Sequence, residues 1–283
     1  MTPELALQYL LPHRLLSRLV YHATRWRFGP WKNFLIRQVM RRYEVNLSEA
    51  EQTDPFAYES FNAFFTRALK SSARAFNSPP GFMVSPADGC LSELGALQQE
   101  SIMQAKDRSY SCAELLADPD RAGEYRDGSF VTIYLAPRDY HRVHMPLGGT
   151  LVETLHIPGR LFSVAPFTVA AVPRLFARNE RLVCHFAGDA GPFAVVLVGA
   201  MLVSSIETTW NGLEIPPYAS RPHHIDYRQR DVRLAQGAEL GRFNMGSTVI
   251  VLMPRGSAKL DDRLAADQPV KVGEPLGRIE SGS

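Results

Sequence analysis

The spacing of apolar and polar residues changes near residue 70 of the chain. Before it, apolar residues recur every three or four positions, which is the period of a helix packed on one side. From Met83 onward, short β-branched or apolar runs alternate with Gly and Pro turns, a pattern typical of strands. The sequence therefore predicts an α+β fold. Amphipathic helices occupy residues 1–70, and a mainly antiparallel β-sandwich or barrel-like core occupies residues 71–283.

Two prolines mark the predicted starts of the first long helices, because proline is tolerated in a first turn. After Pro12, an apolar stripe and a basic face share one helix: Leu15, Leu16, Leu19 and Val20 against Arg14, Arg18 and Arg25. After Pro30 the pattern repeats: Trp31, Phe34, Leu35 and Val39 against Lys32, Arg37 and Arg41. Both segments have the form of interfacial helices, with apolar residues at the acyl boundary and cations among headgroups.

A third helical pattern lies in SFNAFFTRALK, where an aromatic stripe starts at Phe61. We interpret this stripe as packing against the rest of the protein. The following SSARAFNSPPGF, from Ser71, has the composition of a linker.

The β-rich part is predicted from four apolar runs: FVTIYLAP, TLVETLHIP, FAVVLVGAML and STVIVLMP. One helix is expected around SCAELLAD. Turns are expected at four places: Asp88-Gly89, Gly148-Gly149, Asn211-Gly212 and Lys271–Glu274. Such turns are consistent with a compact antiparallel arrangement.

Composition narrows the class of protein. A chain of 283 residues with 45% hydrophobic content can bury a full core, which excludes disordered and fibrous classes. Its three cysteines form no CxxC pair and are predicted to be reduced, mostly buried thiols. The longest uncharged run, 191–206, is short and valine-rich, which favours buried strands over a membrane-spanning helix. We also expect no secretory signal.

Positive charge is concentrated at the start of the chain. Up to residue 42 there is one acid, Glu4, and eight basic residues: Arg14, Arg18, Arg25, Arg27, Lys32, Arg37, Arg41 and Arg42. Each cation near an anionic leaflet contributes on the order of 1 kcal/mol of binding. The charge therefore predicts an anionic membrane surface as partner. The alternative is a solvated face on helices that pack against the protein's own core.

Three short segments carry residues suited to catalysis. These are MGST at 245–248, PRDYHRVHMP at 137–146 and SPADGCL at 85–91. Taken singly, each has an ordinary structural explanation: a turn, two satisfied histidines, and a hairpin turn with Asp88 as its capping acid.

Together the three segments resemble the phosphatidylserine decarboxylase family in its bacterial membrane-associated form. The family's Leu-Gly-Ser-Thr processing tetrad stands here with Met245 in place of leucine, a volume-conserving change. Further segments similar to the family run in the same order from about Phe61 to Ile250, including FNAFFTRALK, GRLFSVAP and LVGAMLVSSIETTW. The basic helices and the last 30 or so residues match more loosely.

The resemblance implies the chemistry. Asp88, His144 and Ser247 match a triad in which the Ser247 hydroxyl attacks the carbonyl of Gly246. The chain then splits between Gly246 and Ser247, and Ser247 becomes a pyruvoyl group. That group forms a Schiff base with phosphatidylserine, which loses CO₂ to give phosphatidylethanolamine. His141 is the candidate proton donor.

The resemblance also implies which chains associate and where in the cell the protein acts. Residues 1–246 and 247–283 would form a heterodimer, with a dimer of such heterodimers as a further option. The enzyme would act peripherally at the cytoplasmic face of the cell membrane, without a transmembrane helix, a metal or nucleic acid.

Other interpretations stay open at this stage. If residues 140–145 are extended, His141 and His144 face opposite sides, whereas in a helical turn both could face the site. The same triad could serve a serine hydrolase acting on lipids, although no G-x-S-x-G elbow is present. A metal-dependent hydrolase would need His223 or His224 as an additional ligand, and a β-rich membrane-binding module would need no chemistry.

Overall fold

The computed structural model describes residues 3–74, 81–105, 108–201, 205–216, 218, 220–244 and 247–280. The helices in these residues are α1 Pro3–Leu10, α2 His13–Arg25, α3 Gly29–Arg42, α4 Phe61–Phe65, α5 Cys112–Leu116, α6 Pro119–Gly123, α7 Pro166–Ala171 and α8 Leu175–Arg178.

Strands dominate the chain from residue 82 onward. They are β1 Phe82–Val84, β2 Gly89–Ala96, β3 Ser101–Ala105, β4 Arg108–Ser111, β5 Ser129–Leu135, β6 Arg142–His144, β7 Gly149–Ile157, β8 Arg181–Gly188, β9 Gly191–Val198, β10 Ser205–Thr208, β11 Gly212–Ile215, β12 His223–Asp226, β13 Arg233–Leu234, β14 Glu239–Asn244, β15 Ser247–Met253, β16 Ala258–Leu260, β17 Pro269–Val270 and β18 Pro275–Ile279.

The N-terminal helices begin where the prolines predict. Pro12 directly precedes α2, and Pro30 is in the first turn of α3. Helix α4 is shorter than the aromatic pattern suggested, and the Ser60 hydroxyl caps it by accepting a hydrogen bond from Ala63 N at 3.1 Å. Its three phenylalanines are buried with Ile36 of α3, so the packing interpretation of this stripe is confirmed.

The strands form antiparallel sheets, as the turn pattern predicts. The largest has the order β12-β7-β8-β9-β15-β5-β2-β17, with β13 also paired to β7. A second has the order β11-β10-β14-β6, a third β1-β18-β16, and β3 pairs with β4. The α+β class and the predominantly antiparallel pairing are confirmed. Among the described residues no sheet closes into a barrel.

Strand β15 lies in the middle of the large sheet and divides the core in two. Val249 and Val251 pack into one apolar cluster, which also contains Val143 of β6 and Phe243 of β14. Ile250 and Leu252 point the other way, into a cluster that includes residues of α5, α7 and α8. This alternation follows from the period of two in a strand. The second sheet therefore covers one face of the large sheet, and short helices cover the other.

The structure also decides two of the predicted turns. Gly212, with φ 72°, forms the turn of the β10–β11 hairpin. Asp88-Gly89 is not a hairpin turn, because β1 and β2 pair with different strands. A Cβ on Gly89 would lie 2.3 Å from the Tyr134 carbonyl oxygen, so this close approach requires glycine.

The three cysteines are unpaired, and two of them are buried. In the described part of the chain, no helix has the length and apolarity to span a bilayer.

Candidate active site

The predicted processing site precedes and includes Ser247, the first residue of strand β15. Strand β14 ends at Asn244 in the second sheet, and β15 begins at Ser247 in the large sheet. Residues 245 and 246 lie outside the described residues, as does the geometry of the predicted cleavage bond. Ser247 itself is placed opposite Leu135 of β5.

Ser247 is fully buried, and its Oγ has no hydrogen-bond partner among the described residues. The same holds for Thr248 Oγ1, next in the strand. Leaving a buried hydroxyl unpaired costs about 1–3 kcal/mol, so buried hydroxyls are usually paired. Ser247 therefore has a buried hydroxyl that no described group holds in a hydrogen bond.

Asp88 is buried, and its carboxylate is held by a cation and a backbone amide. Arg74 donates from Nε to Oδ1 at 2.9 Å and from Nη2 to Oδ2, and Val272 N donates to Oδ1 at 2.9 Å. Arg74 also donates to Glu49 at 3.0 Å. These hydrogen bonds to two carboxylates raise the pKa of Arg74 despite its partial burial, so the residue is always a cation.

His144 ends strand β6, and both of its ring nitrogens have partners. Nδ1 lies 2.8 Å from the Gly237 carbonyl oxygen, and Nε2 lies 3.0 Å from the Tyr140 hydroxyl. A carbonyl can only accept, so Nδ1 carries the proton and the Nε2 lone pair accepts the Tyr140 hydroxyl hydrogen. Burial lowers the pKa of His144, which leaves the ring neutral and Nε2 available as a base near pH 7.

The structure brings Asp88 and His144 into one region of the protein. His144 N donates to Pro86 O at 2.8 Å, and the negative charge of Asp88 opposes the effect of burial on the pKa of His144. However, the described partners of His144 are Tyr140 and Gly237, and those of Asp88 are Arg74 and Val272. The triad roles of Asp88, His144 and Ser247 stay predictions.

His141 lies in a different environment from His144. Its ring is fully buried and stacks on Phe65, with 4.0 Å between ring centroids. Burial, followed by the positive charge of Arg67, lowers the pKa of His141 to about 3. Because Arg142–His144 is a strand, the extended alternative for this segment is the one observed. His141 O accepts from Phe243 N at 2.9 Å, which places His141 beside the end of β14.

Two arginines of the site were not singled out from the sequence. Arg74 lies in the segment assigned as a linker. Arg67 lies in the segment assigned to packing, is buried, and donates to the carbonyls of Arg138 and Asp139 at 3.1 and 3.3 Å. It thus supports the turn that leads into Tyr140 and His141. Both could have been recognised from the sequence as basic residues within a segment that is otherwise apolar or has the composition of a linker.

We expect Arg74→Ala to destabilise the protein markedly. Removing one partner of a buried ion pair typically costs about 3–5 kcal/mol, because the other charge is left uncompensated. Arg27→Ala is the matched control, since its pair with Glu59 at 3.0 Å is well exposed and worth about 0–1 kcal/mol. Urea unfolding measures both. Equal losses in the two variants would contradict a structural role for the Arg74–Asp88 pair.

The described residues provide little support for a metal-dependent hydrolase with His224 as a ligand. His224 lies on β12, at the edge of the large sheet, and its Nε2 contacts Glu153 at 3.0 Å. Within the described residues, no group of three or more potential metal ligands converges.

Comparison with known proteins identifies the family. The family model described as phosphatidylserine decarboxylase matches residues 61–278, and a model described as PSD matches residues 3–44. The chain is 55% identical over 273 residues to the phosphatidylserine decarboxylase proenzyme of Xanthomonas euvesicatoria pv. vesicatoria, covering 96% of this chain and 98% of that protein. It is 52% identical over 277 residues to the proenzyme of Stenotrophomonas maltophilia, covering 97% and 98%. None of these matches supports a serine hydrolase. The chain therefore belongs to the phosphatidylserine decarboxylase family.

Proposed function

We propose that this protein matures by cutting its own backbone between Gly246 and Ser247, and that Ser247 becomes its pyruvoyl group. The activity is that of the family: pyruvoyl-dependent conversion of phosphatidylserine to phosphatidylethanolamine and CO₂. The observation that carries the assignment to Ser247 is its buried hydroxyl at the start of β15, for which the described residues provide no hydrogen-bond partner. Denaturing electrophoresis tests it, because only self-cleavage releases a fragment of residues 247–283.

In the proposed cleavage, Ser247 Oγ attacks the Gly246 carbonyl and replaces the peptide bond with an ester. His144 Nε2 takes the hydroxyl proton. Elimination then releases the Gly246 carboxylate, and hydrolysis of the resulting dehydroalanine releases ammonia. In the structure the Nε2 lone pair faces the Tyr140 hydroxyl, so His144 must exchange this partner for Ser247 as it becomes active. The negative charge of Asp88 would stabilise the imidazolium that forms, while the Gly237 carbonyl orients the ring through Nδ1.

Once formed, the pyruvoyl group supplies the carbonyl that binds the substrate amine and accepts electrons as CO₂ leaves. We assign the return of a proton to His141. Phe65 holds this ring in place by stacking, and burial keeps it neutral in the free protein. A carboxylate or carbanion beside it favours the protonated form and raises its pKa, so we propose that the ring takes up a proton from water as the substrate binds and returns it to the carbanion.

His141→Ala should cleave normally but decarboxylate poorly. Loss of a positioned proton donor typically lowers a rate roughly 10²–10⁴-fold. Electrophoresis measures cleavage, and CO₂ release from labelled phosphatidylserine measures turnover. Near-normal turnover would eliminate His141 as the donor. His185→Ala is a matched control, because this buried histidine lies on β8 with its Nδ1 against the Tyr125 hydroxyl.

We also propose that the two fragments stay together after cleavage. All seven residues of β15 are buried, and the strand pairs with β5 on one side and β9 on the other. Strands β17 and β18 pair with β2 and β1. Separating residues 247–283 would therefore break the middle of the large sheet. These pairings support the heterodimer of residues 1–246 with residues 247–283.

We also propose that the protein docks to a membrane through its N-terminal helices. Helix α2 turns its polar residues inward: His13, Ser17 and Thr24 are at most 5% exposed. Leu15 and Leu19 face outward and are 57% and 59% exposed. This is the reverse of a helix on a protein core and suits an interface with acyl chains. The basic charge of α2 and α3 favours an anionic surface, for which we propose the cytoplasmic face of the cell membrane.

The double variant Leu15→Asp with Leu19→Asp should bind vesicles at least roughly 100-fold more weakly. Each buried leucine contributes about 1.5–3 kcal/mol, and each 1.4 kcal/mol is a factor of ten. Co-sedimentation with phosphatidylglycerol-containing vesicles measures the change. Leu213→Asp, on an exposed leucine of β11, is the control. Binding that needs no anionic lipid, or that survives the double change, would contradict the proposed docking.

A further inference from the structure

The last residue of α2 contacts the second sheet close to the proposed cleavage site. Arg25 Nη2 donates to Ser205 Oγ at 2.7 Å and to Glu207 Oε1 at 3.3 Å, and both acceptors belong to β10. The guanidinium also lies over the Tyr21 ring of its own helix, 3.8 Å from the ring centroid. These contacts fix the direction of a side chain that is only 23% exposed.

The same two acceptors hold Asn244, the last residue of β14. Ser205 lies directly opposite Asn244 where β10 pairs with β14. Asn244 Nδ2 donates to Ser205 Oγ, and it also donates to Glu207 Oε1 at 3.0 Å. Arg25 and Asn244 therefore share one hydroxyl and one carboxylate oxygen. A change at Arg25 alters the hydrogen bonds that hold Asn244.

The charge of Arg25 determines where the Glu207 carboxylate lies. Its other oxygen, Oε2, is 3.8 Å from Arg242 Nε, so the carboxylate lies between two cations. Without Arg25, the attraction to Arg242 is no longer balanced and draws the carboxylate away from Asn244. Asn244 is fully buried, so a lost hydrogen bond to its amide is not replaced by water.

Asn244 and Ser247 are the described residues on either side of the proposed cleavage bond. The start of β15 is fixed by its neighbours, since Ser247 pairs with β5 and Thr248 with both β5 and β9. The Gly246 carbonyl carbon is within two residues of Asn244, so the placement of Asn244 limits where that carbon can lie. Reacting atoms must approach to about 3–3.5 Å, and a misplacement of roughly 1 Å can slow a reaction about 10²-fold.

We propose that Arg25 is a positioning residue for self-cleavage. Through Ser205 and Glu207 it fixes Asn244. Asn244 in turn holds the chain before the cleavage bond where Ser247 can attack it. Helix α2 then contributes to maturation in addition to its proposed contact with the membrane. This inference rests on the proposed self-cleavage before Ser247.

Arg25→Ala tests the proposal through the rate of maturation. The full-length chain is synthesised with a radioactive label in a cell-free extract, and electrophoresis follows its conversion into two fragments. Cleavage should be about 10–100-fold slower than in the wild-type protein. Arg121→Ala is the matched control, because Arg121 is also 23% exposed and forms an ion pair, with Glu153 of β7 at 2.8 Å. This control should cleave at the wild-type rate.

Two measurements on the uncleaved Arg25→Ala chain separate positioning from a general loss of structure. The chain should unfold cooperatively in urea, which shows that slow cleavage does not come from an unfolded protein. Hydroxylamine, which cleaves esters, should release no additional fragment, because attack by Ser247 is the step that is slowed and no ester accumulates.

Each result decides the role of Arg25. A wild-type cleavage rate in Arg25→Ala would overturn it, as would fragments released by hydroxylamine, since the ester would then form normally. Equal slowing in Arg121→Ala would show a general effect of losing an ion pair and would also overturn it. Absence of fragments from the wild-type protein would instead refute the proposed cleavage itself. Should Arg25→Ala fail to fold, Ser205→Ala removes the hydroxyl shared by Arg25 and Asn244, and the same criteria apply.

Discussion

Ser247→Ala is expected to yield a single polypeptide without decarboxylase activity. Alanine has no oxygen to attack the Gly246 carbonyl, so neither the ester nor the pyruvoyl group can form. The loss should be complete, since the cofactor is made from this side chain and no added small molecule replaces it. Denaturing electrophoresis and CO₂ release from labelled phosphatidylserine measure the two consequences on one sample.

Ser257→Ala provides the matched control for Ser247→Ala. Ser257 is also a buried serine of the C-terminal segment, and its Oγ donates to Pro254 O at 2.7 Å. Losing such a hydrogen bond costs about 1 kcal/mol of stability and should leave cleavage and activity intact. Two fragments from Ser247→Ala would overturn the assignment of the nucleophile.

His144→Ala is expected to give the second largest effect, a block of self-cleavage. A serine hydroxyl is a weak nucleophile unless a base removes its proton, and removing a general base typically slows a reaction 10²–10⁴-fold or so. The variant should therefore accumulate as full-length chain and show little activity. His224→Ala, on the exposed strand β12, is the control and should cleave like the wild-type protein.

The pH dependence of cleavage gives a second test of His144. The base acts in its neutral form, and burial lowers the pKa of His144 below 6.5. The cleavage rate should therefore fall with decreasing pH only below the range of an ordinary histidine. A half-maximal rate above pH 6.5 would contradict this assignment, as would efficient cleavage in His144→Ala.

Local patterns predicted local structure well in this chain. The prolines before α2 and within α3 mark real helix starts, because the restriction they impose on the backbone acts within one turn. The run STVIVLM is a fully buried strand, as its unbroken apolar character indicates. The period of two in β15 also explains why two separate apolar clusters lie on its two sides.

Contacts between distant segments could not be predicted from such patterns. Arg74 and Asp88 are in contact although they are 14 positions apart, and Val272 reaches Asp88 from the far end of the chain. The partner of His144 Nδ1 is a backbone carbonyl at Gly237, which carries no sequence signal. The outward direction of Leu15 and Leu19 depends on what α2 packs against. Residue types suggested the chemistry, whereas packing decides which groups are in contact.

Intact mass of the purified, denatured protein shows whether the active enzyme is self-cleaved and carries a carbonyl. We expect two polypeptides, residues 1–246 and residues 247–283, with a pyruvoyl group at the start of the short one. Borohydride should increase the mass of that fragment alone, and adding phosphatidylserine before reduction should attach the lipid to it. A fully active protein that proves to be one unbroken chain, with no mass change on reduction, would show that the enzyme works without a pyruvoyl group from Ser247.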